Sequence, residues 1–435
     1  MDDLGFLDFA SGVEIPVVVL LSTVFLLFNI FLFRRAYYGV ADPMFLFIVF
    51  NSFALVATFF VTLAKNKYYY IFDLFIFNVA FFLVALLGRS VPNQADLRRA
   101  MQCVCRREAD VFVFVLAGVT LFASVVFWSS VGIPFFAENP SEAKVLYYEG
   151  GFGGVKYVQI ISPPVICLYA MLNLVRRRIA VARSRSMKLY IVFSVIIAGS
   201  IGSKAGLLFL VFSSGYIMYF VRSRKVRNIF RRIMFVFFGV ALVLVAAVLA
   251  ATPQGVLDGF ALRLFASGDI FFFWYFYDLQ NILSGWHPLD FIGYLISPVL
   301  GMVKLVEQDY PVGAYVLNEA LGYPLSGFGP NAQLPVVLRM YFSDSYYLGG
   351  IFFGWLLCFI RSKGHFLMKK IGIVGFYFYV TLFFNATFIF VDINYYFSLI
   401  GASLVVVIPV GAISAAYLYA VGYRGSRPRL RVDFL

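Results

Sequence analysis

The longest stretch between the apolar segments of this sequence, residues 252–343, has only three basic side chains, and their types suit phosphate binding. They are Arg263, Lys304 and Arg339. The planar guanidinium of an arginine matches the oxygens of a diphosphate, and Arg339 lies just before an apolar segment, within reach of lipid headgroups. We therefore predict that Arg263 and Arg339 bind a diphosphate, although each could be an ordinary interfacial anchor. Lys304 ends an apolar run, and we interpret it as such an anchor.

Two other side chains of this stretch could take a proton from a hydroxyl. His287 lies between a tryptophan and a proline, and an imidazole with a pKa near 6.5 can act as a base at neutral pH. Asp269 is the competing candidate, and it could instead cap a helix formed by the aromatic residues that follow it. Asn331, in a Gly-Pro-Asn sequence, could hold a sugar through its amide or could simply form a turn.

Lys204 is a further candidate because of its position in the apolar run 189–221. Basic loops flank this run on both sides, so it must cross a membrane an even number of times, and we predict a hairpin of two short spans. A lysine at mid-bilayer costs about 2.5–3.5 kcal/mol or more, whereas at the tip of the hairpin it reaches the outer interface. There it could bind a phosphate, with Gly202 and Gly206 allowing close approach, or it could only end a span.

The composition is that of a protein embedded in a membrane. Of its 435 residues, 62% are hydrophobic and 13% are charged, whereas soluble domains carry about 25% charged residues. Backbone polar groups in lipid must find their hydrogen bonds within the chain, so we predict an all-α polytopic membrane protein. The net charge of +13 could suggest nucleic acid, but its distribution indicates contact with a lipid surface instead.

Apolar runs predict about eleven membrane spans, within a range of ten to thirteen. Lysine and arginine stay on the cytoplasmic side, and 27 of the 35 such residues fall in loops that alternate as inner loops. This places the N-terminus outside and the C-terminus inside. Residues 1–251 then form a bundle of about eight spans, 252–343 a large outer loop, and 344–435 a bundle of about three spans. The predicted spans are 13–33, 43–64, 68–88, 111–131, 157–175, two within 189–221, 233–251, 345–360, 371–391 and 395–420.

The outer loop itself is expected to contain short elements at the membrane surface. The aromatic run 271–277 is typical of side chains at the headgroup level. The apolar segment 288–306 predicts a re-entrant or interfacial helix, because a single full crossing would reverse every later loop. Residues 322–335, rich in proline and glycine, are predicted to be irregular. No acidic, histidine or cysteine cluster has the spacing of a metal site, and no glycine-rich loop indicates a nucleotide, so we expect no metal and no cofactor.

The order of these motifs resembles the O-antigen polymerase family of bacterial envelope polysaccharide synthesis. The resemblance comprises Arg263, then Asp269 with the aromatic run, then His287 and Pro288, then Gly-Pro-Asn, then an aromatic and glycine-rich span at 341–350. The earlier segment 202–206 resembles a short basic motif of these polymerases and of the related O-antigen ligases, which often have arginine where this chain has Lys204. The individual motifs are short, so the resemblance depends on their order.

The resemblance implies an integral-membrane glycosyltransferase of the bacterial inner membrane, with its active site facing the periplasm. Its substrates would be oligosaccharide repeat units on undecaprenyl diphosphate, and it would pass a growing glycan to the non-reducing end of another unit. Lys204, Arg263 and Arg339 would hold the diphosphate, His287 or Asp269 would activate the acceptor hydroxyl, and Asn331 would position a sugar. A membrane protein that regulates chain length would be a further partner, and no cofactor is implied.

Two alternatives stay open on the sequence alone. An O-antigen ligase would use the same chemistry to transfer the glycan to the lipid A core. A flippase for lipid-linked oligosaccharides belongs to another class and needs polar or charged groups along its spans. The apolar runs here are nearly free of charge except for Asp73, so the sequence favours an enzyme. We expect Asp73 to form a hydrogen bond between helices.

Overall fold

The computed structural model describes most of the chain as a bundle of helices. The described residues are 12–87, 93–104, 107–134, 153–175, 181–200, 204–221, 223–250, 265–302, 305–306, 312–322 and 330–421. In the first half the helices are α1 (Ile15–Leu32), α2 (Pro43–Lys65), α3 (Tyr69–Leu87), α4 (Gln94–Val104), α5 (Arg107–Val131), α6 (Gly153–Leu174), α7 (Val181–Ser200), α8 (Lys204–Phe220) and α9 (Arg224–Ala250). The second half has α10 (Asp269–Phe276), α11 (Pro288–Met302), α12 (Val312–Leu321), α13 (Leu334–Phe342), α14 (Tyr346–Lys363), α15 (Phe366–Phe384), α16 (Phe388–Val391) and α17 (Ile393–Ala420).

The helices agree with the predicted class of protein. Within the described ranges, seven helices are long and apolar enough to cross a membrane, namely α1, α2, α3, α5, α6, α15 and α17. The chain is therefore a polytopic α-helical membrane protein. Each of the other predicted spans also coincides with a helix, and the run 189–221 is divided into α7 and α8. The total of eleven spans and their orientation stay predictions, and the tip of the hairpin, 201–203, lies outside the described residues.

Helices α3 and α14 pack closely and run in the same direction. Tyr346 contacts Asp73, and one and two turns further along both helices Gly350 lies against Phe77 and Gly354 against Phe81. A side chain at Gly354 would overlap the carbonyl oxygen of Phe81. Glycines four residues apart let two helix backbones approach closely inside a membrane. The parallel direction is what the predicted topology requires, because both helices are expected to run from outside to inside.

Ion pairs join segments that the sequence assigns to the same side. Near the predicted inner ends, carboxylates pair with basic residues of other inner loops: Asp42 with Arg361, Asp110 with Arg183, and Asp96 with Lys369. Near the predicted outer ends, Lys67 in the loop between α2 and α3 pairs with Asp278 of the large loop. The predicted inner loops thus meet at one end of the bundle, and the described parts of the outer loop meet the bundle at the other.

Helix α11 lies alongside the first half of α17. Pro298 has no backbone N–H, so the carbonyl of Tyr294 loses its backbone partner within the helix. The side chains of Ser297 and Asn394 donate to that carbonyl instead, at 3.2 and 2.9 Å. Further along both helices, Val299 packs against Gly401. The two helices are therefore parallel, and α11 runs beside α17 from the start of that helix, which is its predicted outer end. Of the two predicted arrangements for 288–306, this geometry favours the re-entrant helix.

The prediction for the aromatic run was wrong. We expected its side chains at the headgroup level, but residues 270–275 are all buried inside the protein. The reason is packing: Gly268 lets the start of α10 lie directly on α2 at Ala54 and Ala57, and Tyr275 stacks on Tyr70 at 4.4 Å. The run forms part of the apolar core.

The irregular segment is shorter than the predicted range 322–335. Residues 330–333 are irregular, whereas Leu334 begins α13 with a proline in its first turn, where the missing N–H costs nothing. Residues 323–329 lie outside the part of the chain that the structure describes.

Replacing Gly354 by alanine should destabilise the protein, because the new methyl group would push α14 away from Phe81. Overpacking of this kind costs about 1–3 kcal/mol, and thermal unfolding of the purified protein in detergent measures it. Gly411 is the matched control, since it lies in α17 with open space around its Cα and should tolerate alanine. Equal unfolding temperatures for the two variants would contradict the close packing of α3 and α14.

Candidate functional site

Helix α13 is the element on which the described parts of the outer loop converge. At its start, the Gln333 side chain donates to the carbonyl of Ser267 at 2.5 Å, two residues before Asp269. At its end, the backbone N–H groups of Gly285 and Trp286 both donate to the carbonyl of Met340 at 3.0 Å. The segments that carry Asp269 and His287 are thereby attached to opposite ends of a helix of nine residues, which is about 13.5 Å long.

Arg339, on α13, is the predicted phosphate-binding side chain that the structure describes fully. Its Nη1 atom forms an ion pair with Oδ2 of Asp73, and its guanidinium lies 5.1 Å from the ring centre of Tyr346. Tyr346 donates to Asp73 Oδ1 at 2.5 Å, and Tyr275 donates to Oδ2 at 3.0 Å. Asp73 was expected to bond between helices, and it does so with three of them.

This cluster, which we call the Asp73–Arg339 cluster, is mostly enclosed. The side chains of Arg339 and Asp73 are 20% and 19% exposed, and the space between them and their neighbours does not admit a water-sized molecule. Burial, and then the charge of Asp73, raise the pKa of the Tyr275 hydroxyl well above its ordinary value. This hydroxyl therefore stays protonated and donates a hydrogen bond to the Asp73 carboxylate.

A second polar group lies beside the cluster at the same end of the bundle. Lys67 Nζ and the hydroxyl of Tyr70 contact Oδ1 of Asp278 at 2.6 and 2.7 Å. These hydrogen bonds, above all that of Lys67, lower the pKa of Asp278. Because Tyr70 also stacks on Tyr275, the two polar groups share one aromatic wall between α3 and α10.

Asp269 is half-buried at the start of α10. Gly268 is the N-cap residue, and Asp269 is the first residue of the helix, where its Oδ1 accepts from the N–H of Ile270 at 2.7 Å. Asp269 is therefore not the N-cap itself but the residue after it, where a carboxylate in the first turn still interacts favourably with the helix dipole. Nothing in this position conflicts with a role of Asp269 as a base.

His287 is exposed and precedes the first residue of α11. Its Nδ1 accepts from the backbone N–H of Leu289 at 3.2 Å, and the adjacent Trp286 ring packs edge-on against Tyr315 and Tyr341, 5.3 Å from each. A neutral imidazole has one acceptor and one donor nitrogen. The hydrogen bond therefore assigns the proton to Nε2, so in this conformation His287 presents a donor to its surroundings.

Asn331 is exposed in the turn before α13. Gly313 of α12 packs directly on the carbonyl of Pro330, where a side chain would overlap it, so the turn is held against the helix. Since Gln333 donates to the carbonyl of Ser267, Asn331 and the segment of Asp269 both lie near the start of α13. The structure thus places Asn331 and Asp269 near one end of α13 and His287 near the other.

Three of the basic residues singled out from the sequence are not described in full by the structure. Arg263 and Lys304 lie outside the described residues, and for Lys204 only the backbone, as the first residue of α8, is described. Whether Lys204, Arg263 and Arg339 share one site stays a prediction. Within the described ranges no group of three or more His, Cys, Asp or Glu side chains could hold a metal ion.

Comparison with known proteins finds no relative of this chain. No family model, no curated protein and no solved structure matches it. The likeness to O-antigen polymerases therefore depends on the order of motifs alone.

A further carboxylate at the start of α17 was not singled out from the sequence. Asp392 caps this helix by accepting from the backbone N–H of Tyr395 at 3.0 Å. Burial raises its pKa to about 6. Below pH 6 the folded protein therefore binds a proton at Asp392 that the unfolded chain takes up only near its ordinary value of 3.8.

Asp392 should make the protein less stable as the pH rises from about 4 to 6, because folding then requires a buried charge. Replacement by asparagine keeps a good helix cap and should remove this dependence, with a gain of roughly 3 kcal/mol at pH 7. Unfolding measured from pH 4.5 to 7.5 tests this. Asp290→Asn, at the exposed start of α11, controls for loss of a charge, and an unchanged pH profile in Asp392→Asn would contradict the account.

Proposed function

We propose that the protein is a membrane glycosyltransferase that lengthens a polysaccharide at the outer face of the bacterial inner membrane. The donor would be a glycan on undecaprenyl diphosphate, and the acceptor another lipid-linked repeat unit. The observation that supports this most is the position of Arg339. Asp73 anchors it on α13, the helix whose start holds the segment of Asp269 and whose end holds the segment of His287.

Arg339 is suited to hold a diphosphate that stays attached to lipid. A guanidinium has five N–H donors in a rigid fork, and Asp73 contacts one of its terminal nitrogens. The ion pair orients the guanidinium before substrate arrives, and such preorganisation is how charge on a leaving group is stabilised most effectively. Because the cluster is closed around Asp73, the phosphate would approach the exposed part of the Arg339 side chain or displace the carboxylate.

The reaction needs a base for the acceptor hydroxyl. The hydroxyl oxygen bonds to the anomeric carbon of the donor glycan, its proton passes to the base, and the bond from that carbon to the diphosphate oxygen breaks. Asp269 fits the role of base better than His287, because the hydrogen bond from Leu289 leaves His287 with a donor at Nε2. His287 would then donate to a sugar or phosphate oxygen, and Asn331 would position a sugar.

The alternatives differ in what they require of the spans. A ligase shares the site, and its acceptor would be the lipid A core. A flippase needs polar groups along a path through the bundle, and α2 and α3 do bury the amides of Asn51 and Asn78. Towards the inner side of these amides, however, Phe47 packs on Phe81 at 4.2 Å, which closes the space between the two helices. The packing thus favours the enzyme.

Replacing Arg339 should abolish long glycan chains and leave single repeat units. A strain that lacks the gene is complemented with each variant, and its surface polysaccharide is separated on a gel. Arg339→Lys keeps the charge and the partner of Asp73 but loses the fork, so chains should shorten strongly even though the protein folds. Lys65→Ala, which removes another cation at the outer end of α2, is the matched control and should give normal chains.

The same assay separates the alternatives. A ladder collapsed to one repeat in the strain without the gene supports the polymerase, loss of all capped core indicates the ligase, and lipid-linked units trapped at the cytoplasmic face indicate the flippase. Asp269→Asn should reduce polymerisation more than His287→Ala. Normal ladders in Arg339→Lys, Asp269→Asn and His287→Ala alike would remove the proposed site.

A further inference from the structure

A basic cavity lies at the other end of the bundle, between the end of α8 and the start of α9. Its volume is about 340 Å³, and its lining is Met218, Arg224, Arg227, Asn228 and Arg231. The arginines are at positions i, i+3 and i+7 of α9, and Asn228 is at i+4, so all four side chains project from one face of the helix. We call this feature the α8–α9 pocket.

The three arginines of the pocket differ from other basic residues near the predicted inner surface. Arg183, Arg361 and Lys369 each pair with a carboxylate of another segment. Among the ion pairs of the described residues, none includes an arginine of the pocket. Like charges on one helix face repel, and cations in the first turns also oppose the helix dipole. A bound anion would relieve both penalties.

The position of the pocket along α9 indicates the level of lipid headgroups. Large apolar side chains are exposed on this helix from Ile229 onwards, including Phe235, Val236 and Phe238. In a membrane protein such exposed side chains face the acyl chains. The arginines all come before Phe235, and 222–232 is a predicted inner loop, so the pocket opens where the phosphates of the inner leaflet lie.

We propose that the α8–α9 pocket binds the phosphate group of an anionic lipid in the inner leaflet. Arg227 and Arg231 would contact the phosphate oxygens through their guanidinium forks, Asn228 would donate to the headgroup, and Met218 would contact its apolar part. Basic pockets between helices on the cytoplasmic side are suited to such headgroups. The site is independent of the proposed active site, which lies at the opposite end of the bundle.

The test compares two double variants of the full-length protein that lose the same charge from the same helix. Arg227→Gln with Arg231→Gln empties the pocket of two cations, whereas Lys225→Gln with Arg232→Gln removes two cations that do not line it. Lipid binding is measured by native mass spectrometry and by thermal shift in detergent. The probes are phosphatidylglycerol, phosphatidylcholine, which carries the same phosphodiester without net charge, and inorganic phosphate.

We expect the wild type and the Lys225/Arg232 variant to bind phosphatidylglycerol, and the Arg227/Arg231 variant to bind it roughly tenfold more weakly or worse. Phosphatidylcholine should bind weakly to all three proteins. A thermal shift by inorganic phosphate that only the pocket variant loses would assign the site to free phosphate rather than lipid. Equal losses in both double variants, or no binding of any probe by the wild type, would overturn the proposal. Arg227→Lys with Arg231→Lys, which keeps the charge, should bind phosphatidylglycerol to an intermediate degree.

Discussion

The predicted outer end of this protein depends on a charge that cannot stay unpaired in its surroundings. Asp73 lies on a helix whose neighbouring residues are apolar, and four-fifths of its side chain is shielded from solvent. Removing one partner of such a buried pair costs several kcal/mol. The carboxylate therefore selects the arrangement in which Arg339, Tyr275 and Tyr346 all reach it, and this brings α3, α10, α13 and α14 together.

The rest of the outer layer can be traced from that cluster. Since Asp73 fixes Arg339, it also fixes α13, and α13 in turn holds the segments of Ser267 and Trp286 through backbone carbonyls. On the inner side of the cluster, Gly350 and Gly354 keep α3 and α14 close enough for Tyr346 to reach Asp73. Polar contacts at the end of the bundle and close packing within it therefore support each other.

Much of this architecture could be predicted from the sequence, because the physical rules concerned are local. Apolar runs and the distribution of lysine and arginine predict helices at the observed places, including the division of 189–221. The pairing of Asp73 with Arg339 could not be predicted, because the two residues are 266 positions apart in the sequence and their contact depends on how α3 and α13 align. The burial of the aromatic run was missed for a similar reason: aromatic side chains suit both a headgroup layer and a protein core. Of the predicted site, the structure relates Asp269, His287, Asn331 and Arg339 to α13, and the partners of Lys204 and Arg263 stay predictions.

The most direct test of the central interaction is a double-mutant cycle on the free energy of unfolding in mixed micelles. Asp73→Asn and Arg339→Gln are measured singly and together. If the two side chains form the ion pair that organises the outer layer, each single change is costly, and the double variant is more stable than the sum of the single effects predicts, by about 2 kcal/mol. Additive effects within about 0.5 kcal/mol would show that the two residues do not interact, and would contradict the account.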